Sequence, residues 1–292
     1  MKDTPSTGPG GTREDPWRDW GGDGPTLHFA HGNGFPPETY RLLLDALTER
    51  FHVVSAAARP IWSVAPAESL HGWNELADDL RRELRSRHLN GVVGVGHSLG
   101  GVLSLLAAAR EPALFSAVVA IDPVLFTGAM ALVWGAMKRL GIGHRLAIAR
   151  RARGRRSHWP DRDSVRESYR GKAIFRTWRR DVFEDYIRAG TVPVPAGGVR
   201  LRYPPAWEAR IFEITPHDLW RSLRGVGVPV LILRGEHSDT FTDAARRRAL
   251  RTLPHARAVV VPDTTHFLPM ERPHEVAEEI SELADGVTQT RR

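Results

Sequence analysis

The sequence predicts an α/β fold: a mainly parallel sheet covered by helices, interrupted by one mostly helical insertion. Three observations carry this reading. Short apolar runs alternate with segments whose apolar residues recur at helical spacing between Thr26 and Ile121, and again from Pro229 onward. Strands alternating with helices at this rhythm imply a parallel sheet covered on both faces. The stretch between about Pro123 and Trp207 breaks the rhythm: it is rich in Trp and Arg and reads as helical, with no buried-strand signal until late.

Taken in order, Thr26–Ala30 (TLHFA) is a short buried strand followed at once by the Gly-rich loop His31-Gly32-Asn33-Gly34. Tyr40, Leu43, Leu44 and Leu47 predict a helix within 38–50, and Phe51–Ala56 a strand. Leu76, Leu80 and Leu84 mark a helix over 73–87. Val92–Val95, Leu99–Arg110 and Ala117–Ile121 read as strand, helix and strand. Thr191–Pro205, punctuated by proline and glycine, reads as loop. Pro229–Leu233 and Ala258–Val261 are strands, a helix spans Asp243–Leu253, and a final helix runs over 271–285. The acids Asp161 and Asp163 suit the first turn of a helix over Ser164–Arg170. No repeat of about 20–50 residues is present.

Size and composition narrow the classes. The chain has 292 residues, enough for one large α/β domain. Residues 1–16 read as a polar, disordered tail without the apolar stretch of a secretory signal. The longest apolar candidate, Ala129–Met137, falls well short of the roughly 18 residues of a membrane span, so no stable membrane insertion is expected. Cysteine is absent, which excludes disulfides and thiolate chemistry and fits a cytoplasmic location. The net charge of +7 is concentrated locally: residues 138–180 hold 15 Lys and Arg against 3 Asp and Glu. With no nucleic-acid module beside it, this block reads first as a solvated helical face. The alternative is an electropositive surface at a pocket mouth that attracts anions. A small-molecule substrate is expected, and nucleic acid is not.

Gly96-His97-Ser98-Leu99-Gly100 matches G-x-S-x-G. Its context sharpens the match, because Ser98 falls between a strand and a helix, where a sharp turn lifts the hydroxyl above the sheet edge. Gly96, Gly100 and Gly101 leave room where helix and strand approach closely. A neutral hydroxyl needs a base within hydrogen-bond reach, and histidine suits that task near neutral pH.

Here the chain resembles the α/β-hydrolase family, from about Trp17 to its end. The matching pieces are His31-Gly32-Asn33-Gly34, Gly96 to Gly101, Gly235-Glu236-His237-Ser238-Asp239 and Thr265-His266-Phe267, in the order serine, acid, histidine. The resemblance implies Ser98 as nucleophile and His266 as base. It implies Asp239, on the loop after the strand Pro229–Leu233, as the acid that orients the base; Asp122, at the end of an earlier strand, is the alternative. Asp263 is too near His266 on its own loop. The oxyanion hole is expected from the backbone N–H groups of Leu99 and Asn33, with Gly34 as the alternative to Asn33. His97 reads as a packing or orienting residue of the turn and His31 as a shaper of its loop. His237 and His255 read as surface residues.

The implied organisation is a core domain over 17–123 and 208–292, with 124–207 as a helical lid. Such families usually open with an antiparallel hairpin; here Trp17–Trp20 leaves room for one short edge strand. The expected activity is hydrolysis of an ester of a small or medium apolar substrate through an acyl-enzyme. A carbon–carbon hydrolase, a thioesterase, an amidase, or a lyase or ligand receptor of the same fold are the alternatives. No cofactor is expected, and the scattered His and Asp suggest no metal.

Overall fold

The computed structural model describes residues 15–290. The tail expected over 1–16 therefore lies almost wholly outside the described residues. The main sheet has seven strands: β1 (Trp17–Gly21), β2 (Thr26–Ala30), β3 (His52–Ala56), β4 (Val92–His97), β5 (Phe115–Ile121), and, after three short strands of the insertion, β9 (Val230–Gly235) and β10 (Ala256–Val261). Their spatial order is β1-β3-β2-β4-β5-β9-β10. All neighbours pair in parallel except β1, which runs antiparallel to β3 at the edge. A single strand thus precedes Thr26 among the described residues.

The central strands β4 and β5 are buried along almost their whole length, as their unbroken apolar runs require, whereas the edge strand β10 is mostly half-exposed. The helices Trp73–Ser86, Leu99–Arg110 and Asp243–Thr252 pack against one face around Leu80, Leu105 and Ala245. Arg41–Leu47 and Pro273–Thr290 cover the other, around Leu44, Val53 and Val276. Burial of these apolar faces supplies the main folding drive.

Parallel register brings the functional loops to one edge. His97 lies opposite Ile121, Ile121 opposite Leu233, and Gly235 opposite Val261. The residues following β4, β5, β9 and β10 therefore emerge side by side at the carboxyl ends of the strands, the edge where open α/β sheets bind ligands.

Between β5 and β9 the chain leaves the sheet. Helices Gly128–Arg139, Ala147–Arg153, Arg162–Arg170 and Arg180–Ala189 account for much of this segment. It also contains a small antiparallel sheet of β6 (His158–Trp159), β7 (Thr191–Pro193) and β8 (Val199–Leu201), ordered β6-β8-β7. The stretch read as loop is thus a hairpin, turned by Gly197 and Gly198 at φ of 98° and 79°. Each of its strands is only three residues long, too short for a periodic signal. Asp161 caps its helix by accepting from the Ser164 N–H at 2.7 Å. The next helix, Pro205–Glu213, opens with proline at its first position and packs on Ala147–Arg153, so the helical part continues beyond residue 207. Among the described residues no helix is long and apolar enough to cross a membrane.

Candidate active site

Ser98 sits in the turn between β4 and the helix Leu99–Arg110 with φ 54° and ψ −114°. This strained conformation for a non-glycine residue is held by the close approach of strand and helix. A Cβ on Gly96 would come within 2.3 Å of the Gly100 carbonyl carbon, and one on Gly100 within 2.0 Å of the Ala30 oxygen. Only glycine lets the helix start this close to β2 and β4. Leu99 is the first residue of that helix, where backbone N–H groups have no intrahelical partner.

His266 lies on the loop between β10 and the short helix Leu268–Glu271. Its Nε2 is 3.1 Å from Ser98 Oγ and its Nδ1 is 2.9 Å from Asp122 Oδ1. The structure therefore corrects the expectation for the acid: the carboxylate that meets His266 is Asp122, not Asp239. Asp122 follows β5 with φ 43° and is fully buried. Its Oδ1 also accepts from Ser238 Oγ at 2.6 Å, and its Oδ2 from the Gly235 N–H at 3.0 Å. The loop after β9 thus contributes a hydroxyl and an N–H that brace the carboxylate, while Asp239 is exposed at the cavity wall and, among the described residues, accepts only a long 3.4 Å bond from Thr240 Oγ1.

Asn33 is buried, and both ends of its side-chain amide are engaged. Its amide nitrogen donates to the Glu208 carbonyl at 3.1 Å and its oxygen accepts from the Tyr203 hydroxyl at 2.9 Å. These bonds clamp the loop to residues 203 and 208. Gly34 has φ 86° and lies against the Glu208 carboxyl, which a Cβ there would approach to 3.2 Å.

His97 is buried and tied at both ring nitrogens. Its Nδ1 is 2.8 Å from the Tyr40 hydroxyl and its Nε2 is 2.9 Å from the His266 carbonyl oxygen. The Tyr40 hydroxyl in turn accepts from the Gly32 N–H at 3.0 Å. One neutral tautomer satisfies all three contacts: Nε2–H donates to His266, and Nδ1 accepts from Tyr40. Burial, and then the neighbouring His266, hold the His97 pKa well below the usual histidine range, so the ring stays neutral. His31 also braces its loop, donating from Nδ1 to the Gly32 oxygen and accepting at Nε2 from the Ala58 N–H, each at 2.8 Å; burial lowers its pKa to about 4. His237 and His255 are exposed.

A cavity of about 850 Å³ opens onto Ser98 and His266. Its walls are largely apolar, with Phe35, Trp73, Leu99 and Phe267 from the core and Phe126, Trp134 and Phe175 from the segment between β5 and β9. A half-buried ion pair interrupts them. Arg155 bonds to the Glu208 carboxylate and donates to the hydroxyls of Tyr169 at 3.0 Å and Tyr186 at 2.8 Å. Sequence reasoning assigned Glu208, Tyr203, Tyr40 and Ser238 no role in the site, although Tyr40 belongs to a helical pattern and Ser238 to a matching motif. Each is defined by a partner far along the chain, Ser238 included: it lies one residue before the expected acid, but the Asp122 it meets is 116 residues away. Glu236, His237 and Asp263 bring possible metal-ligand atoms within 4.8 Å of one another, but all three are exposed and none lines the cavity.

A parallel sheet with a serine elbow, a histidine and a carboxylate converging at its carboxyl edge defines a hydrolase of the α/β type. The alpha/beta hydrolase family model matches residues 29–279, and the chain belongs to that family. It is 28% identical over 267 residues to the 2-(acetamidomethylene)succinate hydrolase of Mesorhizobium japonicum, covering 91% of this chain and 90% of that protein. A crystal structure of E-2-(acetamidomethylene)succinate hydrolase superposes with a TM-score of 0.76 at 28% identity, over 92% of this chain and 94% of that one. The thioesterase domain from the curacin biosynthetic pathway superposes with a TM-score of 0.71 at 16% identity, over 90% and 93% of the two chains.

Proposed function

We propose that the chain hydrolyses an acyl bond, an ester in the first instance, through an acyl-enzyme on Ser98. The observation that carries this reading is the unbroken line of contacts from Ser98 Oγ through His266 to Asp122, at 3.1 and 2.9 Å. His266 Nε2 takes the hydroxyl proton as Ser98 attacks the carbonyl carbon, then passes it to the leaving group. Asp122 holds the tautomer that leaves Nε2 free and stabilises the imidazolium that forms. The N–H groups of Leu99 and Asn33 receive the oxyanion, each worth on the order of 3 kcal/mol in such a site. Water, activated by the same histidine, then releases the acid. In this reading residues 124–207 and the helix that follows act as a lid that sets the substrate.

An amide is the second reading, favoured by one observation: the substrate named for the Mesorhizobium relative carries an acetamido group. Both bonds pass through the same acyl-enzyme.

The test is a fluorophosphonate probe with 4-nitrophenyl acetate turnover. Stoichiometric labelling of Ser98, with both labelling and turnover abolished in Ser98→Ala, supports the reading. A Ser98→Ala protein that keeps more than about a tenth of kcat would overturn it, since loss of a nucleophile in such triads costs orders of magnitude more.

A further inference from the structure

We propose that Arg155 anchors a carboxylate on the substrate, making the chain a hydrolase of anionic acyl compounds. The proposal rests on the serine-hydrolase reading above and names the substrate class of that site. Among the arginines crowded into 150–156, Arg155 alone is drawn inward. Its side chain is 19% exposed, while Arg150, Arg151, Arg153 and Arg156 are exposed. It lines the same cavity as Ser98 and His266.

The guanidinium is fixed before any ligand arrives. One Nη1 donor is used by Glu208, and the Nη2 donors by Tyr169 and Tyr186. A guanidinium has five N–H donors and does not deprotonate in proteins. The Nε–H and one Nη1–H therefore remain without a protein acceptor among the described residues. A permanently charged group with open donors in an apolar-walled cavity is a ready partner for a carboxylate.

Two further observations point the same way. The cavity wall carries four cations, Arg151, Arg155, Arg156 and Lys172, against the two carboxylates of Glu208 and Asp239. The Lys172 ammonium sits 3.9 Å over the Tyr169 ring, beside the Arg155 cluster, so it adds to the same field. Packed rings also connect Tyr186, which accepts from Arg155, to His266. Tyr186 packs on Phe35, Phe35 on Phe267, and Phe267 on His266, at ring separations of 5.5, 5.8 and 5.2 Å. On the other side Glu208, the arginine's partner, lies against Gly34, next to Asn33. Ser98 and Arg155 line one cavity, so a substrate held there can present its acyl carbon to the first and a carboxylate to the second. A purely structural brace between residues 155 and 208 is the competing account.

The deciding experiment compares 4-nitrophenyl hydrogen adipate with its neutral methyl ester. The wild-type protein is expected to favour the anionic ester in kcat/KM, and Arg155→Gln to lower that preference at least about tenfold, the worth of one hydrogen bond to a charged group. Arg155→Lys should restore part of it. Equal use of the two esters by the wild type, or an unchanged preference in Arg155→Gln, would overturn the anchor. Turnover of neither ester would instead sink the hydrolase reading. The anchor is then read by calorimetry of adipate on Ser98→Ala protein, where binding should exceed that of adipamide, and equal binding overturns it. The same comparison on Ser98→Ala serves if Arg155→Gln does not fold.

Discussion

At the scale of single residues, the carboxylate that meets His266 is held by a positive φ and three donors. Asp122 turns out of β5 at φ 43° and is met by Ser238 Oγ, the Gly235 N–H and His266 Nδ1. A carboxylate bound this way has one orientation, and it passes that orientation to the imidazole. Asp122→Asn should therefore lower kcat on the order of 10⁴, the cost of presenting the wrong tautomer in a comparable triad. Asp239→Asn should change it only a few-fold, because that side chain is exposed and does not reach the histidine. Steady-state kinetics on the two variants checks the ranking, and the reverse order would return the acid to residue 239.

Between elements, the connecting part is the chain Gly32 N–H, Tyr40 hydroxyl, His97 ring, His266 carbonyl. It ties the loop after β2, the turn Pro37–Tyr40, the end of β4 and the loop after β10. The Gly32–Tyr40 and Tyr40–His97 links are buried, so a partner missing there cannot be replaced by bulk water. Tyr40→Phe keeps the ring packed on Phe29, whose centroid is 4.7 Å away, but strands the Gly32 N–H and the His97 Nδ1. The expected cost is about 1–3 kcal/mol of stability for each unpaired group. In catalysis kcat should fall with KM little changed, since the loop of Asn33 and the loop of His266 lose their common brace. Urea unfolding with parallel kinetics tests this; a variant as stable and as fast as the wild type would show the chain to be incidental.

Across the whole molecule, three histidines are buried in neutral form. Burial depresses His28 to about 3 and His31 to about 4, and holds His97 well below the usual range. In the unfolded chain each titrates near 6.5. Above that pH neither state binds the proton and the contribution to stability is complete. As pH falls through about 6.5 the unfolded chain takes up protons that the folded one refuses, so stability drops, and each contribution ends only at the folded pKa. The slope approaches about 1.4 kcal/mol per pH unit for each histidine. The urea midpoint should therefore fall steadily between about pH 6.5 and 4.5, above the range where carboxylates dominate. His28 offers a check: both its ring nitrogens are buried without a partner among the described residues. His28→Leu should flatten the slope by about one proton and cost little stability at pH 7. A slope unchanged by this substitution would mean that His28 does not stay neutral.

What the sequence by itself determined is local and periodic. Apolar runs such as AVVAI within β5 and four-residue spacing in Leu76, Leu80 and Leu84 report which face of a short segment is buried, and they were enough for the alternating sheet and helices. The elbow was legible because its glycines answer a steric demand inside six consecutive residues, Gly96 to Gly101. What only the tertiary structure decided concerns partners that are distant in the chain. His266 and Asp122 are 144 residues apart, and Asn33 is 175 from Glu208. Two carboxylates stood on plausible loops, and only the path of the loop after β9, which presents Ser238 where an acid was expected, chose between them. The insertion's small sheet was hidden because strands of two or three residues show no period. Arg155 was one arginine in a basic run until packing turned it inward onto Glu208. Periodicity encodes burial, but the direction of a loop side chain is set by whatever surface the rest of the fold places opposite it.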